Sequence, residues 1–330
     1  MCLSNKRVLV TGSGGFVASH LVERLAIAGN EVSCMVRYNS RNDSGLLALL
    51  QPSLRNSLEI LSGDLRDSDF VRASIRSKDI VFHLAALIAI PYSYSHPREV
   101  VETNVLGTLN VLAAAREIGV ERVIHTSTSE VYGTAQYVPI DERHPLQAQS
   151  PYAASKIGAD KLAESFFMSY GLPVVTVRPF NVYGPRQSAR AVIPTIISQA
   201  LQKKSLTLGS TSPTRDFTYV TDTVEGFLKA ATSDQAVNGH VINIGSNLEV
   251  SIGDLVQKVS SLLGHELAVS HEPERVRPPM SEVERLLADN SLARTLLGWE
   301  PKVPLDDGLQ MTIEWISRHL DRYEPHKYVY

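Results

Sequence analysis

The sequence predicts an α/β protein built on a doubly wound parallel sheet, with a smaller C-terminal α/β domain. Short runs that are apolar throughout alternate with longer amphipathic stretches over the first 180 residues. Such strands belong to a parallel sheet covered by helices on both faces. The first run leads into a glycine-rich turn, "TGSGGF", and then directly into a helical pattern. After about residue 180 the alternation loosens into short elements separated by Gly, Pro and Arg. A chain of 330 residues with 43% apolar content can bury such a core as one large unit or as two joined ones.

Strands are expected at 7–12, 31–36, 58–64, 79–85, 122–127 and 174–179. Helical patterns lie between them, and two of these end in Gly119 and Gly171, residues suited to a helix stop. Beyond 180, "AVIPTIISQALQKK" reads as a helix, and "DFTYVTDTVEGFLKAA" and "HVINIGS" read as a return to the sheet. A last helix, "LDDGLQMTIEWISRHL", precedes the tail "DRYEPHKYVY". The tail is expected to lie beyond the fold, packed on a partner subunit or disordered. No internal repeat is visible.

Bulk properties exclude several classes. A formal net charge of −3 with no basic stripe argues against nucleic-acid binding. The longest apolar run, residues 80–90, contains His83 and is too short to cross a bilayer. The two cysteines, Cys2 and Cys34, have no metal-ligand spacing. No metal is expected, and a reduced, cytoplasmic protein is. The first residues run straight into structure with no signal-peptide pattern.

Gly12, Gly14 and Gly15 sit between the first strand and the first helix. Glycines there let the backbone approach a dinucleotide pyrophosphate, and the helix N-terminus offers free N–H groups, a Rossmann-type arrangement. The end of the second strand lacks the carboxylate that would bind the ribose of NAD. Arg37, Asn39, Ser40 and Arg41 stand there instead. They could receive a 2′-phosphate or be solvated loop residues, so the cofactor is expected to be NADP or NAD, with a lean to NADP. Asp64 after the third strand could bind the adenine amine, and Ala85 and Ala86 offer a small-residue surface beside the cofactor.

Tyr152 and Lys156, four residues apart in "SPYAASK", fall on one helix face. A phenol titrates near 10, and an ammonium neighbour and the cationic nicotinamide both favour phenolate. Lowering it by roughly 3 units takes about 4 kcal/mol of differential interaction. Tyr152 can then deprotonate a sugar hydroxyl as hydride leaves the same carbon, with Lys156 on the nicotinamide ribose. Thr128 could share that proton. Ser129 and Glu130 project beside it, though Glu130 could equally be a solvated loop carboxylate.

The motifs "TGSGGF", "GDLRD", "HLAA", "TNVLGTLNVL", "TSTSEVYG", "SPYAASK", "RPFNVYGPRQ", "RDFTYVTD" and "NIGS" occur in this order. Together they resemble the extended short-chain dehydrogenase/reductase family, the nucleotide-sugar epimerases and dehydratases, over nearly the whole chain. The Thr-Ser-Glu triplet is similar to that of GDP-mannose 4,6-dehydratases. "SEVERLLADNSLARTLLGWEP" and its neighbours are similar to the N-acetylglucosamine-nucleotide 4,6-dehydratases of legionaminic-acid-type pathways. The resemblance implies a tightly bound, recycled NAD(P) and a nucleotide-diphosphate sugar substrate, UDP- or GDP-N-acetylglucosamine being favoured. It implies oxidation at carbon 4 by Tyr152 with Thr128, removal of the carbon-5 proton by Glu130, loss of water from carbon 6, and hydride return. Some family members carry Asp where this chain has Ser129, so Glu130 relays the proton itself or through Ser129 and water.

The resemblance extends the cofactor set to Phe16, Val17, Leu65, Leu84, Asn104, Thr126, Pro179, Asn181 and Val182. For the substrate it implies Asn181, Val192 as part of an apolar wall, Arg215 and Arg277 on the diphosphate, and Arg190 and Arg186 as further cations. It implies a homodimer through helices 97–118 and 151–170. Residues 1–180 with about 217–245 would form the Rossmann domain, and 181–216 with 246–330 the nucleotide-sugar-binding domain. Rival readings are a UDP-glucuronate decarboxylase, a 4-epimerase in which Glu130 is idle, and a cofactor-sensing protein without turnover.

Overall fold

The computed structural model describes residues 3–272 and 278–323. In chain order the strands are β1 (Arg7–Thr11), β2 (Glu31–Arg37), β3 (Glu59–Gly63), β4 (Ile80–His83), β5 (Arg122–Thr126), β6 (Val174–Pro179), β7 (Asn181–Tyr183), β8 (Ser205–Leu208), β9 (Thr214–Tyr219), β10 (Val241–Ile244), β11 (Glu249–Ser251) and β12 (Ala268–His271). Seven of them form one sheet in the order β10-β6-β5-β4-β1-β2-β3, and every pairing in it is parallel. The order reverses between β1 and β4, which opens a crevice at the carboxyl ends of these strands.

The strands alternate their side chains between two cores. β1 sends Val8 and Val10 to a core with Leu21, Val22, Leu25 and Phe227. It sends Leu9 to the opposite core, with Val111, Leu112, Ala163 and Phe166. The central strands are apolar throughout because both faces are covered, whereas the edge strand β3 is largely exposed or half-buried. Gly119 and Gly171 end their helices with φ +75 and +67, the left-handed conformation that a side chain would oppose. Arg122 opens β5 and donates to the carbonyls of Ala230, Ala231, Ser233 and Asp234. It thereby satisfies the open end of the helix Val220–Thr232.

One strand differs from the sequence expectation. β10 does join β6, but β9 ("TRDFTY") does not return to the main sheet. It pairs in parallel with β7 and antiparallel with β11 in a separate three-stranded sheet. β10 takes the position beside β6, and β7, one residue after β6, offers β9 its edge instead. β8 and β12 make a two-stranded parallel pair. The helical stretch 97–118 is continuous but carries a π-helical turn at Glu102–Leu106, a local widening often met at functional sites.

Candidate active site

The chain leaves β1 at Thr11 and turns through four residues into the helix Phe16–Ile27. Gly12 has φ +70, and a Cβ there would lie 2.7 Å from Ala85 Cα. A Cβ at Gly14 would meet the Ser44 carbonyl oxygen at 2.8 Å. The turn is thus pressed between the end of β4 and the loop after β2, and only glycine fits. No side chain caps the helix at Gly15, so its first N–H groups remain available to an anion. Beside the turn a cavity of about 140 Å³ is lined by Gly12, Arg37, Asp64, Leu65, Ala85 and Ala86, all expected there, and by Met35, Val36, Gly63, Leu87 and Thr103.

Phe16, Val17 and Leu84 are half-buried and pack against the core. The Arg66 side chain donates to Asp64 and holds its carboxyl below the usual carboxylate range. Arg37 pairs with Glu99 at 3.2 Å, and Glu99 also accepts from the Tyr92 hydroxyl. The Asn39 amide is spent on its own loop: Nδ2 donates to the Arg37 and Asp43 carbonyls and Oδ1 accepts from the Arg41 and Asp43 N–H groups. Ser40 is exposed. Burial pushes the Cys34 thiol up to about 12, leaving it inert. Asn104 sits buried in the π-helical turn. Its amide holds the Leu87 N–H and carbonyl and donates to Ser155 Oγ at 2.9 Å, which ties the cavity wall to the helix that bears Tyr152.

β5 lies between β4 and β6 in the sheet, and its end carries the hydroxyl-rich segment. Thr128 caps the tight turn Ser129–Tyr132 by accepting the Glu130 N–H at 3.3 Å. The helix Pro151–Tyr170 starts with Ser150 accepting the Ala153 N–H and Pro151 in the first turn, a sound helix start. This sets Tyr152 in the first turn and Lys156 one turn on, both buried. The Thr128 hydroxyl acts on the Tyr152 phenol so as to favour its anion. Burial nevertheless pushes the phenol up, helped by the charges of Glu130 and Asp160. Among the protein's own groups, desolvation sets the direction at this phenol. Lys156 donates to the Thr126 carbonyl at 2.6 Å, and burial draws its pKa to about 8, partly countered by Asp160. Two polar atoms here, Thr126 Oγ1 and Asn181 Oδ1, are buried with no protein partner, positions that a bound ligand would satisfy.

A second cavity, of about 330 Å³, lies beyond β6. Five expected residues line it: Asn181, Val182, Arg190, Val192 and Arg215. Pro179 closes β6 just before them. Arg215 is buried and pairs with Glu282 at 3.3 Å. Arg190 is exposed, and Arg186 is engaged by Glu23 at 2.7 Å. Pro91 reaches the cavity from the short helix Ile90–Ser95, and Tyr94 on that helix bonds Ser281 Oγ at 2.6 Å. Arg277 and the tail after Tyr323 lie outside the described residues. Among the described residues no cluster of His, Cys, Asp or Glu could hold a metal, and no helix is long and apolar enough to cross a membrane.

Sequence reasoning missed Glu282, Gln187 and Phe217 in this cavity, and it missed the polar layer beneath Tyr152. In that layer Asp160 takes bonds from His125, Ser127 and Arg178. Asp160 was legible as a carboxylate four residues after Lys156, hence on the same face. Glu282 had no local signal, because it reaches Arg215 only through the fold.

The sequence matches the family described as GDP-mannose 4,6-dehydratase over residues 9–312. It is 34% identical to the dTDP-D-glucose 4,6-dehydratase of Mus musculus, covering 97% of this chain and 91% of that one. It is 35% identical to the UDP-N-acetyl-alpha-D-glucosaminuronate decarboxylase of Bacillus cytotoxicus, covering 94% and 97%. Its fold is similar to that of a UDP-N-acetylglucosamine 4-epimerase from Methanobrevibacter ruminantium (TM-score 0.87, 32% identity, 96% and 100% covered). It is similar also to a dTDP-glucose 4,6-dehydratase from Streptomyces venezuelae solved with NAD bound (TM-score 0.85, 30% identity, 97% and 100% covered). The glycine turn, the Tyr152–Lys156 pair and the Thr-Ser-Glu segment thus stand in a chain that belongs to the GDP-mannose 4,6-dehydratase family of extended short-chain dehydrogenases/reductases, enzymes of nucleotide-sugar chemistry.

Proposed function

We propose that this enzyme is an NAD-dependent nucleotide-sugar 4,6-dehydratase, acting on a UDP- or GDP-linked N-acetylglucosamine to give the 4-keto-6-deoxy sugar nucleotide. The observation that carries the reading is the meeting of three groups at one phenol. The Thr128 hydroxyl acts on the Tyr152 phenol, and the Glu130 charge is felt at the same ring. An oxidation base and a carboxylate for the adjacent carbon would then act side by side, as elimination next to a new ketone requires.

The glycine turn and the uncapped helix N-terminus would hold the pyrophosphate of NAD, and the cavity at Arg37, Asp64 and Ala85 its adenosine. Glu99 beside Arg37 and the committed Asn39 amide favour a free ribose over a 2′-phosphate, which would meet a carboxylate there. Lys156 would hold the nicotinamide ribose. Bound there, NAD would supply hydride chemistry, accepting hydride from carbon 4 and returning it at carbon 6. Tyr152 accepts the carbon-4 hydroxyl proton, shared through Thr128. Glu130 takes the carbon-5 proton, made acidic by the ketone, and passes a proton to the departing carbon-6 hydroxyl, directly or through Ser129 and water. As hydride returns to carbon 6, carbon 5 regains a proton, balanced in net by the one held on Tyr152. Arg215, with Arg190, would clamp the diphosphate, which must displace Glu282 from Arg215. A second copy would dock on the helices 97–118 and 151–170, where Val101, Leu106, Met168 and Tyr170 are exposed.

The test is product mass after incubation with UDP- and GDP-N-acetylglucosamine, GDP-mannose and UDP-glucuronate. Loss of water from an N-acetylglucosamine nucleotide is expected. Loss of carbon dioxide, or an epimer of unchanged mass, would replace this reading. Glu130→Gln should block water loss while still allowing partial reduction of the bound cofactor. Normal dehydration by that variant removes Glu130 from the mechanism.

A further inference from the structure

Tyr152, Lys156 and Asp160 follow at four-residue intervals on one helix, so they share a face. Both carboxylate oxygens of the buried Asp160 are committed. Oδ1 accepts His125 Nε2–H at 3.0 Å, and Oδ2 accepts Ser127 Oγ–H at 2.6 Å and Arg178 Nη2–H at 2.7 Å. Arg178, 2% exposed, also donates through Nη1 to the Tyr132 hydroxyl at 2.8 Å, and that hydroxyl donates to Asn243 Oδ1 at 2.8 Å. A buried ion pair is a poor stabiliser, since apolar groups of similar shape often do as well or better. Its location is the informative feature. His125 and Ser127 flank Thr126, whose carbonyl holds Lys156, and Ser127 directly precedes Thr128, which acts on Tyr152.

The elements around Tyr152 and Lys156 each bring a titratable or charged group. The turn after β5 brings Glu130, β4 brings His83, β5 brings His125, their own helix brings Asp160, and β6 brings Arg178, which acts on Asp160 and His125. The two histidines stack with ring centroids 5.8 Å apart, and burial favours their neutral forms. The fully buried charges are then two cations, Lys156 and Arg178, against Asp160. The count closes to zero when Tyr152 is an anion.

We propose that Asp160 and Arg178 are a positioning pair for the reaction, balancing the charge beneath Tyr152 and Lys156 and locking the end of β5 from which Thr126 and Thr128 hold them. This rests on the reading of Tyr152 as the oxidation base. Removing the Asp160 charge leaves Arg178 unopposed. Both Tyr152 and Lys156 then lose their protons at lower pH, and the pair moves together because its titrations are coupled. Removing Arg178 does the reverse.

The experiment is the pH dependence of kcat and KM for water loss, in the wild type and in Asp160→Asn, Arg178→Gln and the double variant. Asp160→Asn should move both limbs of the profile to lower pH by about one unit or more, and Arg178→Gln should move them to higher pH by a similar amount. The double variant should return the limbs to the wild-type position. Folded single variants whose limbs stay in place overturn the proposal. If the singles do not fold, the double variant decides, because it removes both members of the ion pair together. It should keep the wild-type limbs and KM while kcat falls about tenfold or more, and a wild-type kcat overturns the proposal. Tyr152→Phe serves as the control. If it still reduces the cofactor, the assignment of the base fails along with this inference. If it is dead while the Asp160 and Arg178 profiles do not move, this inference alone fails.

Discussion

Lys156 shows at the scale of one residue how function and stability oppose each other. Its ammonium is buried and its pKa is drawn to about 8, against 10.5 for a lysine in water. The folded chain therefore binds fewer protons at this site than the unfolded chain between about pH 8 and 10.5. Stability from this group alone rises with pH across that window, and below it the buried charge is a steady cost. Lys156→Met should abolish turnover yet raise the urea midpoint relative to wild type at pH 7, and that advantage should shrink by pH 10. A midpoint difference that does not change with pH would falsify the assigned direction. Wild-type activity should decline as pH rises through about 8, where the ammonium is lost. Tyr152 and Lys156 were legible in the sequence because their spacing is a helical one and their chemistry is a matched acid–base set. The rise in the Tyr152 pKa was not, because desolvation depends on what covers the ring.

Elements set the cofactor end. Gly12 combines a positive φ with a contact, since its hypothetical Cβ meets Ala85 Cα at 2.7 Å, whereas Gly29 has φ +81 and open space around it. A left-handed backbone costs an L-residue roughly 1–2 kcal/mol, so both alanine variants should lose some thermal stability. Only Gly12→Ala should also weaken cofactor binding, by about tenfold or more, because it pushes the turn away from the end of β4. Calorimetric titration with NAD checks this, and equal affinities for the two variants would remove Gly12 from the site. The strands of the main sheet were legible because burial on both faces demands apolar runs. β9 was misplaced because "TRDFTY" has the same apolar character in either sheet. Its partner was decided by which edge lay free, a long-range matter. The π-helical turn at Glu102–Leu106 leaves no periodic mark, yet it seats Asn104 between Leu87 and Ser155.

At the scale of the whole molecule, one cavity lies at the ends of β1 to β4 and the other beyond β6. Leu106 and Met168, on the two helices of the proposed dimer contact, are 48% and 76% exposed. Leu106→Asp with Met168→Glu should convert a dimer to monomers in light scattering coupled to gel filtration, and an unchanged mass would place the contact elsewhere. Sequence alone pointed to the sheet, the glycine turn and the Tyr152–Lys156 pair, because local periodicity and short-range spacing specify them, and the family resemblance added the Thr128–Glu130 group. Only the tertiary structure decided that Glu282 answers Arg215, that Glu99 answers Arg37, and that Arg178 and His125 converge on Asp160. Those partners lie between 18 and 67 residues apart, and no local pattern encodes which distant charge a buried group will meet.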